Sequence, residues 1–101
     1  MRLEWTFSAI RDLEAAGEFI SLDSPDAARR MAERVDEATG YLLDYPHMGR
    51  PGRVMSTKEL VVSGTPFVVI YRVRGRVVQI LRVLHHSRKW PWSFQPQPAK
   101  M

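Results

Sequence analysis

The sequence predicts an α+β domain: an N-terminal strand followed by an antiparallel helical hairpin packed on a twisted antiparallel β-sheet. Three observations carry this reading. Residues 8–42 hold two stretches with apolar residues at helical spacing, parted by only a few positions. Beyond residue 57 the period becomes strand-like, with turn residues between the runs. A chain of 101 residues with a 45% apolar fraction suffices for one core and is too short for two ordinary domains.

The elements follow in order. Arg2-Leu3-Glu4-Trp5-Thr6 alternates as a short strand, with Leu3 and Trp5 on one side. Ser8 is placed to cap a helix whose face is Ile10, Leu13, Ala16, Gly17 and Ile20. Ser24-Pro25 marks a second helix start, with Asp26 near the positive end of the dipole. Its stripe is Ala28, Met31, Val35, Ala38 and Leu42, and the pattern stops before Pro46. So short a connection makes the helices an antiparallel pair.

Residues 46–53 read as a loop, being rich in Gly, Pro and Arg. Lys58–Val62, Phe67–Val73 and Val77–Leu84 read as three strands, with a turn at Ser63-Gly64-Thr65-Pro66 and a two-residue hairpin position at Arg74-Gly75. Tight turns make these strands antiparallel and leave one face of the sheet open. The last two runs are apolar on both faces, so they are expected at the sheet's centre. The domain is expected to span 1–91. Residues 92–101, with Pro96 and Pro98, read as a poorly ordered tail with Trp92 or Phe94 as its docking side chains.

Several function classes are disfavoured by composition. Without cysteine there is no disulfide scaffold, thiol nucleophile or thiolate zinc site. No apolar run approaches the roughly 20 residues of a membrane span. The opening residues carry Glu4 and alternate in polarity, unlike a signal peptide, so a cytoplasmic domain without membrane contact is expected. No Walker-type phosphate loop, repeat, or metal-ligand spacing is present, and neither metal nor cofactor is expected.

Charge is unevenly distributed. Residues 1–49 hold five basic and ten acidic side chains, whereas residues 50–101 hold ten basic and one acidic, Glu59. The second half is therefore expected to present a positive surface to an anionic partner. Strand periodicity puts Arg72 and Arg82 at the ends of apolar rows, where they join Arg53 and Lys58 at a rim, with Arg50 in the preceding loop. Guanidinium forks suit phosphate or carboxylate. The competing reading is that Arg72 pairs with a helix carboxylate such as Asp12 or Glu14.

His85-His86 invites a nuclease reading, because imidazole serves as acid or base near neutral pH and Arg82 could hold a phosphate. Neighbours in a strand face opposite ways, so one site would use one histidine. The run Ser87-Arg88-Lys89-Trp90-Pro91-Trp92 mixes cations with aromatics; it suits stacking on bases, filling a protein pocket, or pinning the chain end to the core.

Gly49-Arg50-Pro51-Gly52-Arg53-Val54, Thr57-Lys58-Glu59-Leu60-Val61-Val62 and Thr65-Pro66-Phe67-Val68-Val69-Ile70-Tyr71-Arg72-Val73 closely resemble the ParE branch of the RelE/ParE toxins. Ile80-Leu81-Arg82-Val83-Leu84-His85 followed by Trp90-Pro91 is similar to that branch's ending. Ala27-Ala28-Arg29 and Leu42-Leu43-Asp44-Tyr45-Pro46 extend the resemblance to about residues 2–91. The resemblance implies the same fold and a bacterial type II toxin. It also implies neutralisation by a small antitoxin with a ribbon-helix-helix DNA-binding end, operator DNA being reached only through that partner.

ParE-like members inhibit DNA gyrase, whereas RelE-like members cut messenger RNA in the ribosome. Where RelE-like nucleases carry basic residues at the strand end before the central hairpin, this chain has Val62-Ser63, and no tyrosine follows Tyr71. A second nuclease branch has Glu in the central loop and Arg opening the third strand; here Gly52 and Pro66 or Phe67 stand there. The resemblance thus implies a gyrase inhibitor, with Arg50, Arg53, Lys58, Arg72, Arg82, Arg88, Lys89 and Trp90 binding target or antitoxin. The alternative is a ribosome-dependent RNase using His85, His86 and Arg82, and a third reading is a non-toxic relative that only binds the antitoxin.

Overall fold

The computed structural model describes residues 1–87. Strand β1 (Arg2–Trp5) leads into helices α1 (Phe7–Ser21) and α2 (Pro25–Tyr41), followed by β2 (Arg50–Pro51), β3 (Lys58–Val61), β4 (Phe67–Arg74) and β5 (Val77–His85). One five-stranded sheet has the order β1-β5-β4-β3-β2. The runs read as central, β4 and β5, each have a strand on either side.

The expected α+β layering is present, with a refinement in the sheet. Strands β2 to β5 are antiparallel, but β1 pairs parallel to β5, Leu3 opposite Val78 and Trp5 opposite Ile80, so the sheet is mixed. The first and last strands of the described chain thereby lie side by side.

Thr6, not Ser8, caps α1. The strand gives way one residue after Trp5: Thr6 N–H donates to the Ile80 carbonyl, and Thr6 Oγ1 accepts from Ala9 N–H at 3.1 Å while donating to the Leu81 carbonyl at 3.0 Å. One hydroxyl satisfies a helix-end donor and fastens that end to the sheet. On α1 Ala9 is fully buried and Ile10, expected on the buried face, is exposed, while Leu13, Ala16 and Ile20 pack as expected. Ser24 caps α2 by accepting from Ala27 N–H, with Pro25 in the first turn. Met31, Val35 and Leu42 are buried against Val69, Tyr71, Ile80 and Val83.

Two residues of the expected 46–53 loop form a strand: Arg50 and Pro51 pair with Glu59 and Lys58 at the sheet's edge, where a missing N–H is tolerated. The β4–β5 hairpin turns on Gly75-Arg76 rather than Arg74-Gly75, since Arg74 already pairs with Val77. Gly75 has φ +60° and Arg76 is not among the positive-φ residues, the pattern of a type II′ turn.

A register shift corrects the expected side-chain rows of β5. Tyr71 lies opposite Ile80 and Ile70 opposite Arg82, so Leu81 is the extra residue of a bulge. Val78, Ile80 and Val83 face the helices, whereas Leu81 and Leu84 join Val68 and Ile70 on the other face.

Candidate functional site: the arginines of the sheet and the groove beside α1

Asp12 lies on α1 beside the edge of β5, just past the point where β1 stops covering that edge. Its carboxylate accepts from Arg82 Nε at 2.6 Å, from Arg82 Nη2 at 2.9 Å and from the Val83 N–H at 3.0 Å. Both side chains are mostly buried. The hydrogen bond to Asp12 is the main reason the Arg82 pKa lies above its ordinary value, burial opposing it. A guanidinium held this way anchors helix to sheet. The helix-carboxylate pairing expected as the competing reading for Arg72 is found at Arg82.

Arg50 and Arg53 converge on Glu59, the single acid of the second half. The Glu59 side chain is 3% exposed and sits 3.5 Å from Arg50 Nη2 and 3.7 Å from Arg53 Nε. Arg53 N–H also donates to it at 2.9 Å. The carboxylate therefore stitches the 50–53 segment to β3, while both guanidinium groups remain largely exposed.

Arg72 belongs to a third group. Its Nε donates to Gln79 Oε1 at 2.7 Å, and Gln79 Nε2 donates to Glu4 Oε1 at 2.7 Å, a chain across β4, β5 and β1 on the face away from the helices. Burial, then the nearby Arg74 charge, lowers the Arg72 pKa, and Glu4 partly offsets this. The register gathers Lys58 and Arg72 at one end of the sheet with Arg2, Arg74 and Arg76. Arg82 stands apart, opposite Ile70 and turned to α1. A single rim holding Arg53, Lys58, Arg72 and Arg82 is thus corrected to three separate arginine sites. The bulge and the β2–β3 pairing are the physical causes.

At the far end of β5, His85 is half-buried, edge-on to Phe67 with ring centroids 5.5 Å apart, and stacked on His86 at 5.4 Å. Ser87 Oγ lies 2.9 Å from His85 Nδ1. Arg82, three residues before His85, is held by Asp12. Arg88, Lys89 and Trp90, together with the expected domain end at 91 and tail 92–101, lie outside the described residues.

Beside these histidines runs a groove of about 350 Å³ between α1 and the β4–β5 strand ends, walled by Asp12, Ala16, Phe19, Phe67, Val83 and His85. Phe19 and Leu22 are exposed nearby. Sequence reading missed this groove, since Phe19 lies off the α1 stripe; an exposed phenylalanine between helical turns is the available signal. It also missed Glu59 as an organiser, although its isolation among ten bases pointed that way. Among the described residues no group of three His, Asp or Glu side chains could hold a metal ion, and no helix is long and apolar enough to cross a membrane.

Fold and sequence together place the protein among the toxins of type II toxin–antitoxin systems. More narrowly, the chain belongs to the ParE family: residues 3–90 match the family described as "ParE toxin of type II toxin-antitoxin system, parDE". It is 44% identical over 90 residues to "Putative toxin Y4kP" of Sinorhizobium fredii (strain NBRC 101917 / NGR234), covering 89% of this chain and 93% of that protein. It is 40% identical over 84 residues to "Toxin RelE2" of Caulobacter vibrioides, covering 83% and 93% respectively. Among solved structures, "Chromosomal ParDE TA system from P. aeruginosa" superposes with a TM-score of 0.73 at 31% identity, over 82% of this chain and 92% of the other.

Proposed function

We propose that this toxin arrests growth by binding and inhibiting DNA gyrase in the cytoplasm, without cleaving nucleic acid. A cognate antitoxin with a ribbon-helix-helix end silences it and carries it to operator DNA. The observation that carries the reading, within a ParE-family chain, is the engagement of Arg82 by Asp12. The nuclease alternative asks that guanidinium to hold a phosphate beside His85 or His86, and a carboxylate at 2.6 Å competes directly with any such phosphate.

Binding function fits the remaining arginines. Arg2, Lys58, Arg72, Arg74 and Arg76 concentrate positive charge at one sheet end, which favours rapid, salt-sensitive association with an anionic surface. Induction of wild-type and His85→Ala/His86→Ala toxin in cells lacking the antitoxin tests the reading. Both should arrest growth, and primer extension on messenger RNA should give full-length products. Discrete cleavage ends that vanish in the double variant would establish the RNase alternative instead, and failure of the wild type to arrest growth would support the non-toxic relative.

A further inference from the structure

The β4–β5 hairpin ends in a corner of positive charge. Strand β3 begins at Lys58, opposite Tyr71, so beyond Tyr71 the turn of the hairpin reaches past β3. At the tip, Val77 lies opposite Arg74 on one flank and Arg2 on the other. Residues directly opposite share a face, so the two arginines flank Val77 in the row next to Arg72, Gln79 and Glu4. Arg76 stands in the turn itself. Arg2, Arg74 and Arg76 are all exposed, and among the described residues no carboxylate forms an ion pair with any of them. Arg29, Arg50, Arg53 and Arg82, by contrast, each meet an acid. After burial, the Arg74 charge is the next cause lowering the Arg72 pKa, a mark of excess positive potential at this corner.

We propose that this corner holds the phosphate backbone of duplex DNA, with Arg2 and Arg74 on phosphates to either side of Val77 and Arg76 on a third. The proposal names the anion for the positive sheet end, and so rests on the binding reading above, but it asks nothing of gyrase. Two observations favour DNA over an acidic polypeptide. The hollow at this corner, about 200 Å³, is walled by Glu4, Arg72, Arg74, Val77 and Gln79, four polar side chains and one apolar one. Protein partners draw most of their affinity from aromatic and apolar anchors seated in pockets, and this hollow offers a single valine to them. Phosphate backbone needs no such anchor, because its affinity comes from the counterions that arginines release. Spacing agrees as well. Two strand intervals of about 4.8 Å set Arg2 and Arg74 roughly 10 Å apart. That is close to the B-DNA major groove width of about 12 Å, so the two guanidinium groups address phosphates on its opposite walls. Backbone contacts carry no sequence information, and choice of operator stays with the antitoxin.

Fluorescence anisotropy of a short labelled duplex with the full chain, without gyrase or antitoxin, tests the proposal. Three phosphate contacts make log K fall against log salt with a slope at least as steep as about −2.7, roughly 40-fold weaker binding from about 50 to 200 mM NaCl. Arg2→Gln, Arg74→Gln and Arg76→Gln should each flatten that slope by about 0.9, whatever the duplex sequence. Arg29→Gln, on α2, should leave it unchanged. Matching circular dichroism melts check that these surface variants keep the fold. Wild type that fails to bind the duplex at about 50 mM NaCl, or a triple variant that binds as wild type does, would overturn the proposal. So would displacement of the duplex by poly-glutamate at equal charge concentration, which would make an acidic protein the occupant. Extended polypeptide carries about half the linear charge density of duplex DNA and should compete poorly. Gyrase inhibition is read in a separate supercoiling assay, so failure here is distinguishable from failure of the gyrase reading.

Discussion

Asp12 and Arg82 lie 70 positions apart in the chain and meet through two parallel hydrogen bonds, the same carboxylate also accepting the Val83 N–H. This contact closes the exposed edge of β5 where β1 ends, so it ties the helical hairpin to the sheet at the point where strand pairing fails.

Removing the carboxylate leaves a mostly buried guanidinium and a backbone donor without it. Asp12→Ala is expected to destabilise the fold by about 2–3 kcal/mol, as for other buried charged hydrogen bonds. Urea unfolding measures it, and a double-mutant cycle with Arg82→Ala should return a coupling of about 1–3 kcal/mol. A coupling near zero would mean the pair is structurally incidental.

Glu59→Gln keeps the shape but removes the charge facing Arg50 and Arg53. The Arg53 amide should exchange with deuterium about tenfold faster, reflecting roughly 1.4 kcal/mol of lost protection. The β4–β5 ladder should keep its exchange rates.

Gly49 sits where side chains do not fit. A Cβ there would stand 2.7 Å from Tyr71 Oη and 2.9 Å from the Glu59 carbonyl, and Gly49 N–H already donates to Tyr71 Oη at 2.9 Å. Gly49→Ala should cost about 1–3 kcal/mol in thermal or urea unfolding, as overpacking does.

Tyr71 gives the protein an alkaline limit. Burial raises its pKa above the ordinary 10.0, the Gly49 hydrogen bond opposing this more weakly. The folded state therefore favours the neutral phenol. That stabilisation is complete below pH 10.0 and is lost as pH rises from there through the folded-state value. As pH rises above 10.0 wild type should lose stability more steeply than Tyr71→Phe, as read by urea midpoints. Parallel slopes would remove Tyr71 from the account.

Much of this architecture is legible in the sequence because local rules and burial agree. Ser24-Pro25 declares a helix start, and the two-faced apolar runs declare central strands. The misreadings have specific causes. Ser8 looked like a cap because the sequence does not show Thr6 fastened to Leu81, a contact 75 positions away. Strict alternation groups Arg82 with Arg72 because it ignores the bulge at Leu81. The parallel β1–β5 pairing depends on which strand accepts a distant partner, and no local pattern encodes that choice.

Whether the toxin acts by binding gyrase is tested most directly with purified components. Relaxed plasmid, ATP and gyrase are incubated with wild-type toxin or the His85→Ala/His86→Ala variant, and the products are resolved by electrophoresis. The account predicts that both proteins abolish negative supercoiling. Full supercoiling at a large molar excess of well-folded wild-type toxin would contradict it.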